Sequence, residues 1–194
     1  MTERRSGLPV LAFTSLVALE TWFARQRSDA AGIWIKFAKK GAPSATTTKA
    51  EAIDAALCYG WIDGKLEKCD ETYWLIRFTP RRSSSKWSLV NRKRALELAK
   101  QGRMRSAGRA QIDAAKADGR WNLAYAPASS AEVPSDLQSA LKKNPAAAAF
   151  FKTLSSRNRY AILYRIGTVK KAETRKRKIR EFVAMLERGE TIHG

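Results

Sequence analysis

EAIDAALCYGWIDGKLEKCDETYWLIRFTPRRSSSKWSLVN, Glu51–Asn91, decides how the first part of this chain folds. Thr48 stands just before it with Glu51 three residues on, the spacing of a capping box, so a helix starts at Lys49 and runs to Tyr59. Gly60 occupies the position that ends such a helix in a left-handed turn. Trp61–Glu67 and Tyr73–Thr79 alternate apolar and polar residues around a turn at Cys69–Thr72, which predicts a β-hairpin. Side chains alternate between faces along a strand. Trp61 and Asp63 therefore share one face and Ile62 and Gly64 the other, while Trp74, Ile76 and Phe78 form the core face of the return strand. That sends Arg77 to the polar face, where we expect it beside Asp63. Pro80 stops the strand, Arg81–Lys86 makes a basic loop, and Ser85 or Lys86 introduces a helix over Trp87–Gln101.

Working outward, Pro9–Phe13 predicts a short strand, and Thr14 caps a helix from Ser15 to about Arg27 with Leu16, Leu19, Trp22 and Phe23 at helical spacing. Gly32–Phe37 alternates and is β-branched, hence a strand with Ile33, Ile35 and Phe37 on one face and Trp34 and Lys36 on the other. Gly41–Thr48 is a loop. Beyond the hairpin, helices are predicted over Ser106–Asp118, Ser135–Lys143, Pro145–Leu154, Arg157–Val169 and Ala172–Arg188. Arg120–Tyr125 is a short strand or turn. The expected fold class is α+β: a small antiparallel sheet with packed helices over residues 1–125, an Ala/Ser/Pro-rich linker at 126–133, and an all-helical unit over 134–194.

Composition narrows the partners. The chain has 194 residues, 37 Lys and Arg against 18 Asp and Glu, and a formal charge of +19. Residues 1–133 hold 23 cations and 13 acids; residues 134–194 hold 14 and 5. Such an excess favours nucleic acid, phosphorylated ligands or an anionic membrane surface. Arg4-Arg5 ahead of Leu8–Leu19 resembles an export leader, but Pro9, Thr14, Ser15 and Glu20 interrupt the apolar run and Trp22 and Phe23 follow it. No run approaches the ~18 apolar residues of a membrane span, so no integral membrane segment is expected and the expected location is cytoplasmic. Cys58 and Cys69 make neither a disulfide framework nor a zinc site, and read as two reduced thiols.

Chemistry-bearing motifs are sparse. The only histidine, His193, sits next to the C-terminus and is expected to fray. There is no HExxH, CxxC, Walker or dinucleotide fingerprint. Ser83, Ser84 and Ser85 beside Lys86 read as a turn rather than a Ser–Lys dyad. We therefore expect no catalytic residues, no metal and no cofactor. What the stretch does suit is anion binding. Arg81 and Arg82 offer planar guanidinium forks, Ser85 sits at a predicted helix start whose amides favour negative charge, and Arg77 can join them. Trp61 and Trp87 can stack on a ring. The candidate ligand-binding set is Trp61, Asp63, Arg77, Arg81, Arg82, Ser85, Trp87 and Asn91.

Four segments carry a resemblance: EAIDAALCYGWIDG, YWLIRFTPRRSSSKWSLVN, GRMRSAGRAQIDAAKADGRW and TRKRKIREFVAMLERGE. Together they resemble the YdeI/OmpD-associated (bacteriocin-protection) family of bacterial proteins, from the Trp34 strand to the last helix. WIDG and FTPRR are the most specific parts, and Arg175, Arg177 and Ile179 match the TR-x-R-x-I pattern near the end. The chain departs from the family at YRIGTVKKAET, where relatives carry an aromatic-Ile turn followed by Ala-Lys. The resemblance implies a bacterial cytosolic protein tied by family name to bacteriocin protection or porin association, and it implies no catalytic residue. A chain at +19 repels cationic peptides, which argues against their direct sequestration. The expected function is non-enzymatic binding of an anionic ligand, nucleic acid first and a phosphorylated small molecule second. The other reading is a stress-resistance protein that docks an acidic protein partner or an anionic membrane face.

Overall fold

The structure, a computed structural model, describes residues 3–194. It divides into two compact units, Met1–Ser85 with Lys93–Ala115 and Lys86–Arg92 with Lys116–Gly194.

The first unit is built on a five-stranded sheet in the order β1-β2-β3-β5-β4. Its strands are β1 (Arg4–Arg5), β2 (Leu8–Ala12), β3 (Ile33–Ala38), β4 (Trp61–Lys68) and β5 (Tyr73–Pro80). Helix α1 (Leu16–Ala24) joins β2 to β3, and α2 (Lys49–Cys58) joins β3 to β4. The fold class is α+β as expected, with one correction: the sheet is mostly but not wholly antiparallel, because β2 and β3 run parallel. The crossover through α1 makes this possible, since parallel neighbours need a long connection. The two-residue strand β1 was not anticipated. The cap of α1 also shifts by one residue, since Ser15 and not Thr14 accepts the Ala18 amide, at 3.2 Å.

Both faces of the sheet are packed. Ile33, Ile35, Phe37, Ile76, Phe78 and Trp61 meet Leu19 and Phe23 of α1 and the alanines of α2 on one face. Trp34, Val10 and Leu75 form a smaller cluster on the other. The sequence's division of β3 into Ile33/Ile35/Phe37 and Trp34 faces is the one observed. Helix α2 carries the predicted capping box. Thr48 Oγ1 accepts from the Glu51 amide (3.2 Å), and a Glu51 carboxylate oxygen accepts from the Thr48 amide (2.7 Å). The Thr48 amide, and with it the Thr48 hydroxyl, donates to this carboxylate and holds the Glu51 carboxyl below its ordinary pKa.

Helices α3 (Leu89–Lys100) and α4 (Ser106–Ala117) follow the hairpin. The boundary between the units falls inside α3. Its start is set by Ser88, whose hydroxyl accepts from the Asn91 amide at 3.0 Å.

The second unit contains a short 3-10 turn (Ala128–Ser130) and helices α5 (Ser135–Lys142), α6 (Pro145–Thr153), α7 (Ser156–Gly167) and α8 (Ala172–Glu187). Leu137, Leu141, Phe151, Ile162, Ile166, Ile179 and Leu186 form its core. Arg175 ties three helices together. Its guanidinium donates to both Asp136 oxygens at 2.6 and 3.0 Å and to the Ile166 carbonyl at 2.8 Å. That contact lowers the Asp136 carboxyl, and it gives the Arg175 and Ile179 positions of the sequence pattern a packing role. His193 is not frayed as expected. Buried Asn158 accepts from the His193 amide (2.9 Å) and donates to its carbonyl (3.0 Å).

Candidate functional site

Of the eight candidate residues, Trp61 and Arg81 meet at one hollow, which lies wholly within the first unit. Gly60 makes this possible. Its φ of +78° turns the chain from α2 into β4, and a Cβ there would stand 2.9 Å from the Ala107 carbonyl oxygen. The Gly60 carbonyl then accepts from the Arg81 amide at 2.9 Å, which places Arg81 directly beside the start of β4. Arg81 is only 4% exposed.

The hollow has a volume of about 70 Å³ and is walled by Tyr59, Trp61, Pro80 and Arg81, with Arg27, Gln111 and their neighbours completing it. No carboxylate is among its lining residues. Trp61 is itself core: its ring meets Trp22 and Phe23 edge-on at 5.5 and 5.3 Å. It serves as a wall rather than as an open stacking platform.

Several expectations need correction. Asp63 does not pair with Arg77. The register sets Asp63 opposite Phe78, and a bulge between Asp63 and Leu66 places Gly64 and Lys65 against Arg77. Residues directly opposite in an antiparallel pair share a face, so Asp63 lies on the Phe78 face and Arg77 on the other, where it stays exposed. Ser85 does not start the helix. Its hydroxyl accepts from the Arg82 amide at 2.9 Å and closes a turn, while Ser88 takes the capping role. Arg82 is exposed. Trp87 and Asn91 belong to the second unit. Trp87 is buried against Trp121, with ring centroids 4.8 Å apart, and does not offer a face for stacking. The Asn91 backbone is engaged by the Ser88 cap.

The strongest charge cluster nearby was not found from sequence. Asp54, buried on α2, receives a bidentate pair of hydrogen bonds from Arg94 and has Arg103 at 3.9 Å, while Arg103 also reaches Glu20 at 3.2 Å. The Asp54 hydrogen bond raises the Arg94 guanidinium further above its ordinary value. The signal existed: Asp54 lies on the face of α2 shared with buried Leu57 and Cys58 and so had to find a cation. Burial pushes the Cys58 thiol beside it up and away from the thiolate. Both cysteines are free. Among the described residues no group of three or more His, Cys, Asp or Glu side chains is placed to hold a metal. No helix among them is long and apolar enough to cross a membrane.

Residues 11–111, just over half of the chain, match the family described as Domain of unknown function (DUF8412). Residues 130–189 match the family described as Bacteriocin-protection, YdeI or OmpD-Associated. No curated protein and no solved structure matches the chain. The WIDG and FTPRR segments thus fall within the first match, and the TR-x-R-x-I pattern within the second. The chain belongs to the DUF8412 family through its first part and carries a domain of the bacteriocin-protection, YdeI/OmpD-associated family in its last.

Proposed function

We propose that the protein binds an anionic, phosphate-bearing ligand at the hollow between Trp61 and Arg81. The observation that carries this reading is the composition of the lining, which brings nearly buried Arg81 together with Arg27, Gln26, Gln111 and Ser28 and includes no carboxylate. Guanidinium forks match phosphate oxygens in a planar, two-bond geometry. At about 70 Å³ the hollow is far below the roughly 300 Å³ at which pockets for whole small molecules begin. It therefore takes a phosphate group and leaves the rest of the ligand outside. That favours a phosphorylated small molecule or one backbone phosphate of a nucleic acid over a stacked base. The net charge of +19 draws such ligands in and makes their arrival salt-dependent.

The test is calorimetric titration with pyrophosphate, ATP and a single-stranded oligonucleotide, on the parent protein and on Gln111→Glu and Arg81→Lys. Gln111→Glu sets a carboxylate into the lining. Its expected effect is a loss of at least about tenfold in affinity, since like charges at a recognition site cost several kcal/mol. Arg81→Lys keeps the charge and loses the fork, and should weaken binding less. Unchanged affinity in Gln111→Glu rejects the hollow as the site. Oligonucleotide binding that exceeds pyrophosphate binding and is lost with it in Gln111→Glu identifies nucleic acid as the ligand, whereas salt-sensitive oligonucleotide binding that Gln111→Glu leaves unchanged is attraction to the basic surface alone.

A second reading is supported by the family description of residues 130–189. It is an interaction protein of bacteriocin protection that docks an acidic protein or anionic membrane face through exposed cations of α8 such as Lys176, Arg177 and Arg180. Lys176 and Arg177 are partly answered on their own helix by Glu173 and Glu181, so this reading has less uncompensated charge to draw on.

A further inference from the structure

The second unit holds a hollow of the opposite chemistry. Three tyrosines converge on it: Tyr125 from the segment after α4, and Tyr160 and Tyr164 one turn apart on α7. Tyr125 meets Tyr164 edge-on, with centroids 4.8 Å apart and planes at 81°, and Tyr160 lies 6.0 Å from Tyr164 at 45°. The cavity of about 200 Å³ is completed by apolar side chains, among them Leu123, Leu163 and Pro134, and by one carboxylate, that of Glu132. Glu132 is exposed and, among the described residues, takes no part in an ion pair. Its carboxylate therefore stands at the aromatic hollow without a cation of its own.

Aromatic faces carry negative quadrupole potential, and several rings around one point with a carboxylate nearby form the arrangement that takes alkylated ammonium groups. The molecule already makes one such contact: Lys86 Nζ sits 4.6 Å from the Tyr164 ring centroid while donating to Thr168 Oγ1 at 2.9 Å. Lys86 is not among the residues lining the hollow, so it uses Tyr164 without filling the cavity. Tyr160 is held in place by its hydroxyl, which donates to the Ala126 carbonyl at 2.9 Å. Burial keeps this phenol protonated well past neutrality, so the hydrogen bond and the ring position persist at physiological pH.

We infer that the Tyr125–Tyr160–Tyr164 hollow, with Glu132 at its rim, is a binding site for a quaternary ammonium group. Its volume suits a trimethylammonium head rather than a drug-sized molecule, for which pockets start at roughly 300 Å³. The inference does not rest on the anion-binding reading, because it uses other residues and ligands of the opposite charge.

The experiment is an NMR titration of the full chain with tetramethylammonium, following the tyrosine ring resonances, with tert-butanol as the neutral comparator of similar bulk. The expected result is saturable shifts of the Tyr125, Tyr160 and Tyr164 rings by the cation and none or far weaker ones by the alcohol. Tyr164→Leu should weaken binding about tenfold, the scale of a desolvated cation–π contact. Glu132→Gln leaves the packing untouched and should weaken it a few-fold. Added salt should leave cation binding unchanged or strengthen it by screening the basic surface, opposite to the anion site. Choline and a trimethyl-lysine peptide as further ligands distinguish a small-molecule source from a protein one. Equal shifts from tert-butanol, or no saturable shift from tetramethylammonium, overturn the assignment; Glu132→Gln with unchanged affinity removes the carboxylate from it.

Discussion

Gly108 is the glycine with the least room for a side chain. A Cβ there would press on the Cys58 carbonyl oxygen and stand 2.6 Å from that of Leu57 and 2.5 Å from Met104 Sδ. Backbone oxygens cannot swing aside, so α4 must move off the end of α2. Gly108→Ala is expected to lower stability by about 2 kcal/mol or more, the upper range of overpacking costs, and to shift the urea midpoint without changing its slope. At Thr48 the mechanism is different. Thr48→Ala removes the acceptor for the Glu51 amide and opens the capping box, for an expected loss of about 1 kcal/mol. Thr48 lies away from the Arg81 hollow, so affinity for pyrophosphate should survive in Thr48→Ala, whereas Gly108→Ala shifts the Ala107 and Gln111 wall of the hollow and should weaken that affinity.

At the scale of elements, the ion pair between α2 and α3 is the joint to test. Asp54 is nearly buried while its partner Arg94 is only partly covered. Asp54→Asn keeps the shape and removes the charge, and the expected cost is about 1–3 kcal/mol, the range for hydrogen bonds to charged groups. Thermal unfolding with Arg94→Ala and the double variant closes the cycle, and a coupling energy near zero would show the pair to be incidental. The elements themselves were legible because their punctuation is local. Thr48 with Glu51, Gly60, Pro80 and the alternation in Tyr73–Thr79 each act within a few residues. What the sequence could not show is pairing across distance. The bulge opposite Arg77 depends on how two strands align, and it moved Asp63 to the other face. The parallel β2–β3 pair follows from a crossover that periodicity does not encode. Ser85 and Ser88 have the same propensity to cap, and only the turn closed on Arg82 decides between them. The site was legible to the same extent. Trp61 and Arg81 meet because Gly60 and Pro80 flank them in one hairpin, whereas Tyr125, Tyr160 and Tyr164 are assembled by tertiary packing.

Across the whole molecule, charge sets the response to pH and salt. The carboxyls of Glu51, Glu67, Asp70, Asp118, Asp136 and Glu190 are all held below their ordinary values, by backbone amides or by basic partners. Each is more acidic folded than unfolded, so its contribution is present above the unfolded value and is lost as pH falls through the folded one. Stability is therefore expected to hold from about pH 7 to 5 and to fall below about pH 4, where carboxyls protonate and the growing positive charge adds self-repulsion. Lys36 behaves in the reverse sense. Its hydrogen bond to Glu3 raises it above 10.5, so its contribution is complete at neutral pH and fades only as pH climbs past that value. Urea midpoints measured from pH 3 to 8 check the acid limb. The same excess of cations makes binding of any polyanion fall with salt, which shows attraction but does not locate a site. Location is what the anion-binding reading commits to, and anomalous diffraction from crystals soaked in tungstate, a heavy analogue of phosphate, tests it most directly. The account predicts a peak in the Trp61–Arg81 hollow that disappears in Gln111→Glu; tungstate found only along exposed lysines and arginines, with that hollow empty, would contradict it.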